Sequence, residues 1–219
     1  MVLSKDLIID WYNQYNNDPD NDNELEGKVL RSIDTIKTWE NFKDCLLHSE
    51  DGILKWKIAL RTKHYYDSMD SGKWIALFDI VKDSLNQPKE TVKKIVAFSS
   101  ENMRYRTKSG HIRKGGINYR VASTLVYFFS KGKCPIIDWR TILTLKNNEY
   151  SEQLKKVNLY YNKKNKTWQT SLGNEGWNDY YDLCHKIVSE MKIESIENDM
   201  PIRVLDKALW KFPDLSKTK

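Results

Sequence analysis

The stretch CPIIDWRTI isolates one carboxylate in a setting suited to chemistry. Pro135 interrupts the chain, Ile136 and Ile137 are apolar enough to be buried, and Asp138 is left at the entrance of a helix reading WRTILTL. A rigidly placed carboxylate suits a reaction that builds positive charge. Cleavage of an N-glycosidic bond is one, because the sugar acquires oxocarbenium character that the carboxylate stabilises while it orients or deprotonates a water. The same position also suits an N-cap, with Thr141 at the third helical position. Asp138 alone leaves both readings open.

Upstream lies RKGGINYRVAS, a basic, glycine-containing turn that opens an apolar helix carrying Val121, Ala122, Leu125, Val126, Phe128 and Phe129. A helix N-terminus presents backbone N–H groups and the positive end of the dipole, which together bind phosphate. Glycine lets a nucleic-acid backbone approach closely. Lys114, Gly115, Gly116, Ile117, Asn118 and Arg120 are therefore candidate DNA contacts, with Arg140 beyond them. A plain helix–turn–helix corner would explain the glycines equally well. The surrounding charge favours the phosphate reading: residues 101–140 hold nine Lys and Arg against two acidic residues, a net +7, whereas residues 11–30 hold one Lys against five, a net −4. Such segregation predicts one basic face.

GGINYRVAS followed by CPIIDWRTI resembles the helix-hairpin-helix signature of the base-excision DNA glycosylase superfamily, in which a G-[hydrophobic]-G hairpin opens a helix and a P-x-D element follows. Gly116, Ile117 and Asn118 take the hairpin positions, and Asp138 matches the catalytic aspartate. Arg120 precedes Asp138 by 18 residues, the place where bifunctional members carry their Schiff-base lysine. The resemblance covers about residues 113–145, with weaker echoes in LKWKIALR and LDKALW. It implies an all-α fold of two helical lobes, with the hairpin and an active-site cleft between the lobes, over a single domain spanning 1–219. It also implies double-stranded DNA as partner.

The departures from the family pattern are specific. Asn118 replaces the second hairpin glycine and tolerates left-handed backbone, so the turn can survive. Arg120 stays protonated and cannot be an amine nucleophile, so a monofunctional glycosylase is implied. The polar segment SSENMRYRTKSGHIRKGG stands where the family has an amphipathic first helix. Whether that first helix is instead residues 89–98 with an insertion after it stays open. The chain carries three separated cysteines, Cys45, Cys134 and Cys184, too few for a four-thiolate cluster. No iron–sulfur or other cofactor is expected, and the resemblance leaves a monovalent cation at the hairpin open.

Base flipping requires aromatic surfaces for stacking and a wedge. Trp56, Lys57 and Trp139 are the preferred pocket candidates, with Tyr105, Trp168 and Trp177 as others. His111 reads as a phosphate contact or a solvated residue, and Cys134 as a packed thiol. A non-catalytic helix-hairpin-helix DNA-binding protein is the alternative, using Asp138 structurally, and an all-α regulator binding RNA or an acidic protein is a more distant one.

The elements that must position these residues are helical, since apolar residues recur at three and four apart and alternation is rare. Helices are predicted over 24–32, 39–47 and 52–68, within SGKWIALFDIVKDSL, from Pro88 through residue 98, and within DLCHKIVSEM and PIRVLDKALWKF. Leu7, Ile8, Trp11 and Tyr15 share one face of the first helix. The 219 residues carry a net charge of +6. No apolar run approaches the ~20 residues of a membrane span, and the N-terminal run is too short for a signal peptide. Sparse, odd cysteines suit a reducing compartment. The expectation is a cytoplasmic monomer, nucleoid-associated in a prokaryote.

Overall fold

The structure, a computed structural model, describes residues 2–19, 21, 23–48, 52–53, 69–106, 111–114, 116–163 and 167–211, leaving aside the side chains of 105, 106, 113, 114 and 167. The body of the helix predicted over 52–68, with Trp56 and Lys57, lies outside the described residues, as does Gly115. In chain order the elements are α1 (Lys5–Asn16), α2 (Asn23–Ile33), α3 (Trp39–Leu47), α4 (Ser71–Lys82), a 3₁₀ turn (Asp83–Leu85), α5 (Pro88–Asn102), β1 (Arg104–Arg106) and β2 (Ile112–Lys114). They continue with α6 (Tyr119–Phe129), α7 (Trp139–Lys146), β3 (Val157–Asn162), β4 (Thr167–Leu172), α8 (Asn174–Glu190) and α9 (Pro201–Lys211). The chain is mostly helical, as the periodicity predicts. It departs from a pure all-α fold by two antiparallel ribbons, β1–β2 and β3–β4.

Contacts divide the chain into a central unit, Asp22–Cys134, and a terminal unit, Met1–Asn21 with Pro135–Lys219. The boundary falls between Cys134 and Pro135, so the hairpin segment belongs to the central unit and Asp138 to the terminal one.

In the central unit, α5 begins with Pro88 in the first turn and Glu90 near the positive helix end, both favourable placements. It packs along α6, which also meets α2 and α4. From Tyr119 to Phe128 every α6 residue except Arg120 is buried. Phe42 of α3 stacks on Phe78 at 5.4 Å and meets Phe129 edge-on at 5.6 Å, arrangements that aromatic quadrupoles favour. Buried Glu26 of α2 accepts a hydrogen bond from the Tyr127 hydroxyl of α6. α6 ends because Lys131 and Gly132 take positive φ, 54° and 84°, and the Gly132 N–H returns to the Tyr127 carbonyl at 2.9 Å, a left-handed termination that glycine adopts without strain.

In the terminal unit α1 packs on α9. Ile8, Trp11, Tyr12 and Tyr15 are buried on α1, and Val204, Leu205, Ala208 and Leu209 on α9. α9 also buries three charged residues, Arg203, Asp206 and Lys207, which buried charges allow only with partners. Lys207 Nζ lies 2.6 Å from Asp199 Oδ2, which also accepts from the Tyr12 hydroxyl at 2.9 Å. The β3–β4 ribbon packs against α7 and α8. Gly176 permits this, since a Cβ there would fall 2.6 Å from the Lys156 carbonyl oxygen.

Candidate functional site

The segment that resembles the hairpin lies between α5 and α6, which pack together, with the β1–β2 ribbon preceding it. Residues 89–98 are helical, within α5, whose Val92, Ile95 and Phe98 are buried, and α5 packs against α6. The polar segment after α5 supplies the β1–β2 ribbon, pairing Arg104 with Lys114, Tyr105 with Arg113 and Arg106 with Ile112. The Arg104 guanidinium is directed to the C-terminal end of α5, donating to the Met103 carbonyl at 2.8 Å and the Ser100 carbonyl at 3.4 Å, where the helix dipole favours a cation. No acidic residue occurs from 102 to 137.

The turn itself is tied inward. The Ile117 N–H donates to Ser99 Oγ of α5 at 2.8 Å within the core, and the Ile117 side chain is buried. This corrects the expectation of outward N–H groups across the whole turn: Ile117 anchors the turn to α5. Asn118 also acts differently from the left-handed geometry anticipated. Its backbone is extended, at φ −93° and ψ 177°, and its side chain caps α6 by accepting from the Val121 N–H at 3.2 Å. The sequence contained this signal, because asparagine before an apolar-periodic run is a strong N-cap. Gly116 is partly exposed, Asn118 exposed and Arg120 half-buried at the first turn of α6, while Lys114 ends β2.

Asp138 is partly exposed at the N-terminus of α7, preceded by buried Ile136 and Ile137. Its carboxylate accepts from the Arg140 N–H at 3.0 Å, and Thr141 Oγ1 completes a capping box by accepting from the Asp138 N–H at 3.4 Å. The Thr141 hydroxyl donates to the Asp138 carbonyl at 2.8 Å. Beneath it the buried Tyr180 hydroxyl lies 3.2 Å from Thr141 Oγ1 and donates to the Ile136 carbonyl at 3.0 Å. On the other side of that peptide segment, Asp206 Oδ2 accepts from the Ile136 N–H at 2.8 Å. The backbone leading into Asp138 is thus gripped at both of the Ile136 polar groups and again at Thr141. Burial, then the neighbouring Cys184 and Asp206, push the Tyr180 phenol well above its usual range, so the bridge stays protonated.

Arg140 and Trp139 lie beside this carboxylate. The Arg140 guanidinium is 4.5 Å from the Trp139 ring centroid and 4.4 Å from that of Trp210, and Trp210 meets Tyr15 edge-on at 5.4 Å. The indole faces orient the planar cation, leaving its N–H edge as its hydrogen-bonding capacity. No local pattern in the sequence marks Trp210, Tyr180 or Asp206 as neighbours of Asp138. Tyr180 and Asp206 reach Ile136 from 44 and 70 residues away, and no local pattern encodes such separations. Trp177 is fully buried in the core and Trp168 half-exposed on β4.

A hollow of about 450 Å³ in the central unit, lined by Lys28, Ser32, Asp44, Cys45 and His48 among others, contains none of the predicted site residues. Among the described residues no group of three or more His, Cys, Asp or Glu is placed to hold a metal, and no helix is long and apolar enough to cross a membrane. No protein-family model, curated protein sequence or solved structure matches the chain.

Proposed function

We propose that this chain is a monofunctional DNA glycosylase of helix-hairpin-helix type, with Asp138 as its catalytic carboxylate. The observation that carries the reading is the fixation of Asp138: a partly exposed carboxylate on a segment held by Asp206, Tyr180 and Thr141. An ordinary helix cap needs no buried network beneath it. The hairpin supports the DNA half of the reading, since it combines a capped helix N-terminus with a flanking sequence free of acidic residues from 102 to 137. Lys114, Arg120 and the α6 dipole would hold one phosphate, and Arg140 a second negative group.

In the proposed reaction a modified, damaged or mismatched base leaves the duplex stack. As the bond between C1′ and the base nitrogen breaks, its electron pair departs with the base, and the Asp138 carboxylate stabilises the positive charge left on the sugar. Asp138 takes a proton from an attacking water whose oxygen bonds to C1′, and the departing base gains a proton. The products are free base and an abasic sugar. Arg120 carries a guanidinium and offers no amine for strand scission.

The capping box at Asp138 favours one rival, a DNA-binding module in which this residue is structural only. Base release read by mass spectrometry across duplexes carrying deaminated, oxidised, alkylated and mismatched bases separates the two. Free base produced by the wild type and absent with Asp138→Asn is expected. Tight duplex binding with no base released from any substrate would favour the module.

A further inference from the structure

Tyr160 and Tyr161, at 49% and 48% exposure, are the only aromatic side chains among the described residues that are exposed to this degree. They are adjacent on β3, and neighbouring residues of a strand project from opposite faces. Both faces of the ribbon are therefore uncovered at this level. Its base is different, because Val157 and the preceding Leu154 are fully buried. The ribbon is rooted in the terminal unit, and beyond its root Leu159, Asn162 and Trp168 are half-buried while Tyr160 and Tyr161 are exposed. Across the ladder Tyr161 pairs with Trp168, their rings 5.5 Å apart and inclined by 63°, and Tyr160 pairs with Gln169.

The charge along the ribbon selects among partners. Residues 153–174 contain five lysines and no acidic residue. The two lysines at the root are neutralised from outside the stretch, Lys155 by Glu152 and Lys156 by Glu175. Lys163 is exposed just after β3, and Lys164 and Lys166 follow it in the sequence. Aromatic faces beside Lys163, in a stretch without acidic residues, match a polyanion that also carries flat rings. Beyond Val157 the one aliphatic side chain of β3 is half-buried Leu159, so the exposed surface of the strand offers rings rather than the aliphatic patch that a membrane or an apolar protein groove would match.

We infer that the β3–β4 ribbon is a second nucleic-acid contact, in which Tyr160, Tyr161 and Trp168 stack on unpaired bases while Lys163, exposed just after β3, meets the phosphate backbone. The inference rests on reading the chain as one that acts on DNA, but not on catalysis by Asp138. The ribbon packs on α7, the helix that Asp138 caps, so bases held there lie in the same unit as the carboxylate.

The test is fluorescence anisotropy of the full chain with labelled single-stranded, fully paired and single-base-gapped DNA. Threonine keeps strand propensity, so Tyr160→Thr combined with Tyr161→Thr removes the rings without undoing the ribbon. Affinity for single-stranded and gapped DNA should fall about tenfold for each stack lost, with paired DNA little affected. Lys163→Gln should reduce the salt slope on single strands by about 0.7. Unchanged affinity of the double variant for single-stranded and gapped DNA overturns the ribbon's role while leaving the hairpin reading intact. Loss of polyglutamate binding with DNA binding intact overturns it too, in favour of an acidic protein partner. A wild type that binds no DNA overturns this inference and the proposed function together.

Discussion

Tyr180→Phe removes one oxygen from the interior of the terminal unit and leaves the ring in place. The lost hydroxyl donates to the Ile136 carbonyl at 3.0 Å and lies 3.2 Å from Thr141 Oγ1. Thr141 keeps its bond to the Asp138 carbonyl, so its share of the loss is small. The Ile136 carbonyl belongs to a buried residue and loses this donor. The net bond contributes about 1 kcal/mol, and desolvation of the abandoned acceptor about 1–2 kcal/mol more. The expected destabilisation is about 2–3 kcal/mol, read as a lower urea midpoint at unchanged slope. The second consequence is on chemistry. The peptide segment before Asp138 loses one of its grips, and small displacements of a catalytic group are costly, so single-turnover base release should slow about tenfold while DNA affinity holds. A double-mutant cycle with Thr141→Val should show coupling between the two sites. A loss of stability below about 0.5 kcal/mol, or unchanged base release in a folded variant, would refute the assignment of Tyr180 as the residue that positions Asp138.

Arg120→Gln should weaken DNA binding and reduce the slope of log affinity against log salt by about 0.9; an unchanged slope in a salt titration removes Arg120 from the interface. Lys207→Met leaves the carboxylate of Asp199, 2.6 Å from the lost ammonium, without its counter-ion, and should cost about 3 kcal/mol in a denaturant titration; a neutral effect would contradict the buried pair. Burial first, with nearby carboxylates for some, raises the phenols of Tyr12, Tyr119, Tyr150 and Tyr180 and the thiol of Cys184. The folded chain therefore keeps protons that the unfolded chain releases above about pH 8.5 for a thiol and about pH 10 for phenols. Stability should be level in these groups below that range and fall as pH rises through it toward the folded values. Urea midpoints at rising alkaline pH check the sign, and a midpoint that holds or rises would contradict it.

The helices were largely legible because each has a periodic apolar face that is buried in the structure. α1 shows this at Ile8, Trp11 and Tyr15, and α6 at Val121, Ala122, Leu125 and Val126. Asp138 at the head of α7 was legible for the same local reason, a polar cap between two buried isoleucines and an apolar run. The ribbons were hidden by their exposure. β3 has polar or exposed residues on both faces beyond Val157, so the alternation that marks a half-buried strand is missing. Asn118 suggested backbone freedom at a hairpin position, but its side chain serves as a cap. The network beneath Asp138 was beyond local reading, since Tyr180 and Asp206 sit on α8 and α9, where their spacing looks like ordinary helical surface and core. Folding alone brings them to Ile136.

Asp138→Asn tests the central claim most directly, because asparagine caps a helix as well as aspartate and keeps an oxygen to accept from the Arg140 N–H. The substitution removes the negative charge and the proton acceptor with little change to the fold. The measurement is paired, duplex affinity and single-turnover base release on the same modified DNA. The account predicts unchanged affinity with release slowed by about 10²–10⁴-fold. Release at the wild-type rate by a variant that binds normally would show that Asp138 is a helix cap and nothing more.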